Sequence, residues 1–271
     1  MSTRVLVTGG SSGLGRALVE HYAAAGCRVL VADLAEPAAL PAGELVYQRL
    51  DVRSEADWAT VREWCRIHWD GLDLLVNNAG VAAAGRMERL TDADWDWVLD
   101  VNLRGAVLGC RTFVPVFKAQ RRGHIVNVAS LAGLVNPPGL SAYNVSEAAV
   151  ISLSETLRHE LAPWGVHTTV VCPGFMPTGL DAGLRGPDPV LARRAADLIR
   201  GGRLTPQQVA AQVAKAVARR RFLVNPHPEG RRALRLKRWW PSLVDRRTAR
   251  SWRRTALRLD EQDARAGRLP G

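Results

Sequence analysis

The chain has 271 residues, 47% of them hydrophobic and 23% charged, which is typical of a globular protein with one large or two small domains. No stretch approaches the roughly 20 uncharged apolar residues of a membrane-spanning helix, and the four scattered cysteines and six histidines lack the spacing of a disulfide framework or a metal site. The formal net charge of +11 belongs entirely to residues 219–271, with 16 Lys/Arg against 5 Asp/Glu, so the neutral remainder argues against nucleic-acid binding by the whole protein.

Apolar runs alternate with helical patterns from the beginning of the chain. The runs are rich in valine and leucine and nearly continuous, which favours a parallel sheet covered by helices on both faces. The predicted strands are 4–9, 28–34, 45–52, 72–80, 123–130, 166–174 and a short one within 220–226.

Capping residues and helix breakers mark the predicted helices. Ser54 is an expected N-cap, Thr205-Pro206 opens a late helix, and Pro241 divides the C-terminal segment into at least two helices. Loops are short except at 175–203, where Gly and Pro cluster. The predicted helices are 13–26, 54–68, within 92–120, 142–162 and 205–220.

We expect one domain, residues 1–225, followed by a basic C-terminal extension, residues 226–271. An apolar strand begins by residue 4, where a secretory signal would have a charged segment and then an apolar one. The four scattered cysteines fit a reducing cytoplasm, which is the expected compartment.

The segment "TGGSSGLG" (8–15) connects the first predicted strand to the first helix. Glycines allow a sharp turn and a close approach to a pyrophosphate, and the helix N-terminus offers free N–H groups with partial positive charge. This strand–turn–helix context predicts a dinucleotide site, although a structural turn is the alternative. The predicted cofactor contacts in the loop are Gly9, Ser11, Ser12, Gly13, Leu14 and Gly15.

Asp33 ends the second predicted strand, 18 residues after Gly15. A carboxylate at this point accepts hydrogen bonds from ribose hydroxyls and repels a 2′-phosphate. Its neighbours Ala32 and Leu34 carry no charge, so NAD is favoured over NADP.

This loop and five further motifs resemble those of the short-chain dehydrogenase/reductase family, in order over residues 3–222. The resemblance implies a Rossmann-type, doubly wound parallel sheet of about seven strands in three αβα layers, and a homodimer or homotetramer. The five motifs are "LDV" at 50–52, "NNAG" at 77–80, "VNLRG" at 101–105, "IVNVAS" at 125–130 with Tyr143 thirteen residues after Ser130, and "CPGFMPT" at 172–178.

The resemblance also implies roles for residues in these motifs. Tyr143 is the expected acid or base, Ser130 the hydrogen-bonding partner of the substrate oxygen, and Asn102 the holder of a water in the proton path. The reaction is NAD(P)-dependent interconversion of a hydroxyl and a carbonyl. The further implied cofactor contacts are Asp51, Val52, Asn78, Ala79, Gly80, Tyr143, residue 147, Pro173, Gly174 and Thr178.

Glu147 departs from the family's Tyr-x-x-x-Lys motif, because it stands where the lysine is expected. Residues i and i+4 share a helix face, and the lysine charge would lower the tyrosine pKa from about 10. A negative charge at about 5 Å acts in the opposite direction with roughly 3 kcal/mol. The carboxylate can still accept hydrogen bonds from ribose hydroxyls, so we expect cofactor binding to survive and catalysis to be impaired.

Three interpretations of Glu147 stay open: a family member with weak or altered catalysis, a deliberately substituted active enzyme, and a non-catalytic NAD(H)-binding regulatory or scaffold protein.

The expected substrate is an apolar alcohol or ketone, contacted by 131–142 and 175–203. The expected apolar lining is Leu131, Leu134, Val135, Leu140, Phe175 and Met176.

The basic extension contains tryptophans and leucines among many arginines, as in "LKRWWPSLVDRR" (236–247). Three roles are favoured for it: packing on the body or on a neighbouring subunit, lying on an anionic membrane surface, and binding an anionic ligand such as a coenzyme A ester. Nucleic-acid binding by the extension is the least favoured alternative. A protein peripheral to the membrane is thus an alternative to a purely cytoplasmic one.

Overall fold

The computed structural model describes residues 2–181 and 183–265; residue 182 of the predicted loop and residues 266–271 of the predicted extension lie outside the described residues. Within this part of the chain, seven parallel strands form one sheet in the order β3-β2-β1-β4-β5-β6-β7. The strands are β1 Arg4–Thr8, β2 Arg28–Asp33, β3 Leu45–Arg49, β4 Leu74–Asn77, β5 Gly123–Val128, β6 Val166–Val171 and β7 Leu223–Val224.

Helices connect the strands and cover the sheet, and a π-helical segment, Leu99–Arg104, joins two of them. The helices are α1 Gly13–Ala24, α2 Glu55–Trp69, α3 Asp92–Val98, α4 Gly105–Gln120, α5 Ala132–Val135, α6 Ser141–Leu161, α7 Pro189–Arg200, α8 Pro206–Ala218, α9 Pro228–Trp239 and α10 Pro241–Arg265.

Each face of the sheet has its own apolar core. On one face, Leu18 of α1 and Val213 of α8 pack against Val7 and its neighbours. On the other, Trp58 of α2 and Phe113 of α4 pack against Leu6. Because side chains alternate along a strand, consecutive residues of β1 serve both cores. The predicted parallel sheet with helices on both faces is confirmed.

Predicted caps begin two helices as expected. Ser54 accepts a hydrogen bond from the Asp57 amide at 3.1 Å. Thr205 accepts one from the Gln208 amide at 3.2 Å, and Gln208 completes a capping box. The predicted strand ends are less accurate: β4 is confined to Leu74–Asn77 within the predicted 72–80.

The prediction of a long loop at 175–203 is wrong over residues 189–200, which form α7. Pro189 lies in its first turn, where the missing N–H costs nothing. Leu191, Ala195 and Ile199 recur four residues apart and are buried. In the sequence, the glycines and prolines that precede these residues indicate a loop more strongly than three apolar residues indicate a helix.

The strand order places the functional edge of the sheet. From β1 the chain proceeds outward through β2 and β3, returns to β4 beside β1, and continues in the opposite direction. Doubly wound sheets bind ligands outside the carboxyl ends of the strands at this reversal. Across the described residues, no helix combines the length and apolar character needed to cross a bilayer.

Candidate active site

A cavity of about 1180 Å³ lies at the carboxyl ends of the strands. Segments that follow the first six strands contribute to its wall. Its position coincides with the reversal of strand order, which makes it the candidate active site.

The glycine loop forms one end of the cavity. Gly13 has φ +53°, and a Cβ built there would lie 3.1 Å from Cβ of Thr178. A Cβ on Gly15 would lie 2.0 Å from the Gly9 carbonyl oxygen, so α1 approaches the loop more closely than any side chain permits. Ser12, the N-cap of α1, makes no side-chain capping bond. The first amides of α1 are therefore available to an anion.

Asp33 lies at the end of β2 and lines the same part of the cavity. Its Oδ2 accepts a hydrogen bond from the Ser11 amide at 2.9 Å, which holds the glycine loop against the strand end. The other oxygen accepts a long hydrogen bond from the Ala35 amide at 3.4 Å. The carboxylate is thus positioned beside the loop with acceptor capacity left.

Asp51 and Arg53 form a bidentate ion pair on the cavity wall. Arg53 donates from Nε at 2.9 Å and from its terminal nitrogen at 2.7 Å. The hydrogen bond from Arg53 lowers the pKa of the Asp51 carboxyl. Arg53 also lines the cavity, but its charge is paired with Asp51.

The turn after β4 is bound directly to the turn after β1. The Asn78 side chain donates to the Thr8 carbonyl at 2.9 Å and to the Gly9 carbonyl at 3.2 Å. The Thr8 hydroxyl accepts from the Asn78 and Ala79 amides. These bonds join the two halves of the sheet where the cavity opens.

Ser130 and Tyr143 lie together on the cavity wall. Ser130 follows β5, and its hydroxyl accepts a hydrogen bond from the Ala132 amide at 3.1 Å. Tyr143 lies in the first turn of α6. Burial raises the pKa of Tyr143, and Glu147 raises it further, while the Ser130 side chain lowers it. The phenol therefore keeps its proton at neutral pH.

Glu147 lies one turn after Tyr143 on α6 and is only 5% exposed. Its Oε1 accepts a hydrogen bond from the Asn102 side chain at 3.1 Å. Burial raises the pKa of Glu147 to about 8, and the Asn102 bond opposes this. The carboxyl is therefore mostly protonated at neutral pH, so the full negative charge assumed from the sequence develops only in alkaline solution.

Asn102 lies behind the cavity wall, in the π-helical segment. Its amide nitrogen donates to the Val81 carbonyl at 2.9 Å, to the Ser146 hydroxyl at 3.0 Å and to Glu147. Its oxygen accepts from the Val81 amide at 2.8 Å. The side chain connects the segment after β4 to α6, and its predicted role toward water stays a prediction.

His227 was not predicted from the sequence, and it holds the segment after β6. Its Nδ1 accepts a hydrogen bond from the Gly174 amide at 2.9 Å, and the side chain is 1% exposed. Burial lowers the pKa of His227, so the ring is neutral and can accept. A Cβ on Gly174 would lie 3.2 Å from the ring. A lone histidine far along the chain carries no local signal of such a contact.

Most of the predicted site residues come together in this cavity. Ser11, Gly15 and Asn102 do not line it and lie against residues that do. The roles assigned to all of them stay predictions. The predicted site residues on the wall are Gly9, Ser12, Gly13, Leu14, Asp33, Asp51, Val52, Asn78, Ala79, Gly80, Ser130, Tyr143, Glu147, Pro173, Gly174 and Thr178.

The predicted apolar lining is also largely present, except that Leu134 packs into a cluster with Val150 and Val170. The C-terminal extension contributes wall residues that the sequence did not indicate. They come from α9 and α10 and include Leu236, Lys237, Val244, Arg247 and Trp252.

Comparison with protein families gives one match over most of the chain. The sequence profile of a family described as short chain dehydrogenase matches residues 3–188. Two curated relatives are a CLA biosynthesis dehydrogenase/reductase of Lactiplantibacillus plantarum, 33% identical over 187 residues, and a 2-(R)-hydroxypropyl-CoM dehydrogenase of Xanthobacter autotrophicus, 37% identical over 190 residues. The matched region is 65% of this chain and 65% of the first relative, just under two thirds of its length, and 66% of this chain and 76% of the second.

Solved structures resemble the chain over more of its length. A short chain dehydrogenase/reductase from Burkholderia phymatum in complex with NAD superposes with a TM-score of 0.82 at 33% identity, covering 89% of this chain and 95% of that one. A short-chain dehydrogenase from Streptomyces avermitilis gives 0.80 at 25% identity, covering 94% and 98%.

Proposed function

Because this chain belongs to the short-chain dehydrogenase family, we propose that it is a nicotinamide-dinucleotide-dependent oxidoreductase that interconverts a hydroxyl and a carbonyl on a small apolar molecule. The observation that carries the proposal is one cavity whose wall includes both an uncapped helix N-terminus behind a glycine turn and the Ser130–Tyr143 pair. The first feature suits a pyrophosphate, and the second suits a carbonyl oxygen.

The wall suits NAD(H) in particular. A Cβ on Gly15 would clash with the Gly9 carbonyl oxygen, and one on Gly13 would lie 3.1 Å from Cβ of Thr178. Both positions therefore favour a bare backbone, which a pyrophosphate can approach closely. Asp33 has acceptor capacity for ribose hydroxyls and would repel a 2′-phosphate. The NAD complex of the Burkholderia phymatum protein supports this choice. When bound, the nicotinamide exchanges a hydride with the substrate carbon.

Tyr143 transfers the proton, and Ser130 binds the substrate oxygen. In the reducing direction the Tyr143 hydroxyl donates its proton to the substrate oxygen, which the Ser130 hydroxyl holds by a hydrogen bond. In the oxidising direction the tyrosine must first lose its proton. Its raised pKa opposes that loss.

Glu147 makes this step harder than the family's lysine would. Among the described residues, the influences on the Tyr143 pKa are burial, Glu147, Ser130 and Cys172, and none of them is a cation. A protonated Glu147 supplies no charge that would stabilise a phenolate, and an ionised one repels it. We therefore propose that the chain binds NAD(H) and turns over slowly.

The test combines NADH fluorescence titration with a turnover screen of apolar alcohols and ketones, on the natural chain and on Glu147→Lys. We expect both proteins to bind NADH and the variant to turn over at least tenfold faster. A cation beside Tyr143 should also move the apparent pKa of kcat/KM for alcohol oxidation downward.

If the chain with Glu147 already turns over at a rate typical of such enzymes, and Glu147→Lys does not change that rate, catalysis is not impaired. The alternative function is a non-catalytic NAD(H)-binding regulatory or scaffold protein. It predicts that NADH binds to both proteins while neither has activity. Absence of NADH binding by both would refute the proposal as a whole.

The proposed assembly is a homodimer or homotetramer, the usual states of this family. Sedimentation velocity at micromolar concentration measures the mass directly. A monomer at all concentrations would contradict this part of the proposal.

A contact with an anionic membrane surface is a second proposed property, for a protein otherwise working in the cytoplasm. One observation favours it: Trp239 and Trp240 are 68% and 59% exposed at the junction of α9 and α10, beside exposed Leu236 and Leu243. Tryptophans flanked by arginines suit the headgroup region.

Sedimentation with phosphatidylserine-containing vesicles tests the membrane contact. The double variant Trp239→Ser/Trp240→Ser should lose the bound fraction, while Trp164→Ser, at an exposed tryptophan outside the extension, should keep it. Absence of binding by the natural chain, or equal loss in both variants, would exclude the contact.

A further inference from the structure

The C-terminal extension forms a wall of the candidate active site. Lys237 of α9 donates a hydrogen bond from Nζ to the Leu134 carbonyl at 2.7 Å. A Cβ built on Gly139 would lie 3.5 Å from Cζ3 of Trp252, so α10 also lies close to the chain just before α6. Both contacts fall on the segment between Ser130 and Tyr143. The extension therefore borders the place where a substrate would meet these two residues.

A cluster of ion pairs holds α10 in this position. Arg86 is 7% exposed and pairs with Asp188 at 3.0 Å, with Asp260 at 2.8 Å and with Asp263. Arg89 pairs with Asp263 at 2.6 Å. The cluster joins the chain after β4, the N-cap of α7 and the C-terminal helix. Such a network, partly withdrawn from solvent, gives α10 one defined position.

The wall contributed by α7, α9 and α10 carries positive charge that the protein does not neutralise. Arg194, Lys237 and Arg247 line it, and none of them forms an ion pair within the described residues. In the described part of the chain, Arg194 bonds the Thr255 hydroxyl alone, and Lys237 bonds a backbone carbonyl.

The carboxylates on the cavity wall belong to other parts of it. Asp33 ends β2, and Asp51 follows β3 and is paired with Arg53. Glu147 lies on α6 beside Tyr143. Within the described wall, no carboxylate comes from the segments that carry Arg194, Lys237 and Arg247. An anion entering beside these segments would meet positive charge and no acid supplied by α7, α9 or α10.

The same segments also supply apolar lining residues. Leu191 and Ile199 of α7, Val244 and Trp252 of α10, and Leu140 before α6 all line the cavity. An apolar surface next to a cationic one suits a ligand with the same two parts.

We propose that the substrate is an amphiphile, an apolar alcohol or ketone carrying a carboxylate or phosphate group, and that Arg194, Lys237 and Arg247 bind the anionic group. The assignment to a substrate rests on the proposed oxidoreductase function. The anion site itself is a property of the cavity and is measurable without turnover. This gives the extension a binding role in addition to its packing on the body.

The test compares three probes of equal chain length by calorimetry: decanoate, decyl phosphate and decanol. We expect both anions to bind at least tenfold more tightly than decanol, with affinities that fall as salt is added. Whichever anion binds more tightly distinguishes a carboxylate substrate from a phosphate-bearing one.

Two double variants with equal loss of charge provide the control. Arg194→Gln/Arg247→Gln removes cations from the wall and should weaken decanoate and decyl phosphate binding at least tenfold, with decanol unchanged. Arg193→Gln/Arg250→Gln removes exposed neighbours that do not line the cavity and should leave all three affinities unchanged. Lys237 is kept, because its hydrogen bond to Leu134 also holds α9.

Equal binding of decanol and the anions, or equal weakening in both double variants, would overturn the anion site. NADH titration on the same samples tests the proposed function separately. If decanoate binds as expected and NADH does not, the oxidoreductase function fails and the substrate assignment falls with it, while the anion site stands.

Discussion

Burial changes the ionisation state expected of Glu147. In sequence it is a negative charge beside a tyrosine. In the fold it is 5% exposed, has one hydrogen-bond donor in Asn102, and holds its proton up to a pKa of about 8. Burial penalises the ionised form. At neutral pH the site therefore contains two neutral acids, a phenol and a carboxylic acid, one turn apart.

This protonation makes the stability of the fold depend on pH. The pKa of Glu147 is raised from an ordinary 4.5 to about 8 in the folded state. Its contribution is therefore fully present below about pH 4.5, declines as pH rises, and is lost above about pH 8. We expect a decline of roughly 3–5 kcal/mol over this window, at about 1.4 kcal/mol per pKa unit.

Glu147→Gln tests this, because glutamine resembles the protonated acid and does not ionise. Urea unfolding at about pH 5 and about pH 9 should give similar free energies for the two proteins in acid and a clear advantage for the variant in alkali. Glu155→Gln, at an exposed position of the same helix, is the control. If the free energy of unfolding changes with pH in the same way for the unsubstituted chain and for Glu147→Gln, the Glu147 carboxyl does not stay protonated in the fold.

At the scale of elements, the turn between β1 and α1 depends on the absence of side chains. Gly13 lies at the start of α1 with φ +53° beside Thr178, and Gly26 lies after the end of the same helix with φ +75° and open space where a Cβ would lie. A positive φ costs a non-glycine residue about 1–2 kcal/mol. The two positions therefore share the backbone strain and differ in what surrounds them.

We expect Gly13→Ala to weaken NADH binding at least tenfold. The added Cβ would press against Thr178 and displace the glycine loop, where the pyrophosphate is expected to bind. Both variants should lower the melting temperature by a similar amount, but Gly26→Ala should leave the NADH affinity unchanged. Fluorescence titration and thermal melting of both variants measure this. Equal NADH affinity in the two variants would mean that the loop does not contact the cofactor.

At the scale of the whole molecule, the Arg86 cluster connects segments far apart in sequence. Asp263 contributes ion pairs to Arg86 and Arg89, and the Arg86 hydrogen bond lowers its pKa. The stabilisation from Asp263 is therefore present above its ordinary pKa of about 4 and is lost as pH falls through its lower folded pKa. At neutral pH Asp263 is therefore ionised.

Removing one carboxylate should loosen the extension without unfolding the body. We expect Asp263→Asn to speed tryptic cleavage within α9 and α10 at least threefold, because transient opening of a helix controls access of the protease. NADH affinity should be unchanged.

Asp245→Asn, an exposed substitution on α10, is the matched control. Cleavage as slow as in the natural chain would show that the cluster does not hold α10. Mass spectrometry of the fragments over time supplies the rates.

Local sequence patterns alone predict the parallel sheet, the glycine turn at its first crossover, and the order of Ser130 and Tyr143 along the chain. These depend on local patterns: strand-length apolar runs, N-caps such as Ser54 and Thr205, and glycines between a strand and a helix. Such patterns act over a few residues, so they are readable without the fold. The same local character explains why strand ends and the four-residue helix α5 were not predicted, because tertiary contacts decide them.

Properties that depend on burial or on distant partners become visible only in the folded molecule. Burial of one face of α6 raises the pKa of Glu147 to about 8. His227 meets Gly174 across 53 residues, and Arg86 meets Asp263 across 177. The extension, a basic tail in sequence, becomes a wall of the cavity through these contacts. Desolvation and long-range pairing arise only when the chain is folded, and that is why the charge of a residue was readable from the sequence while its chemistry was not.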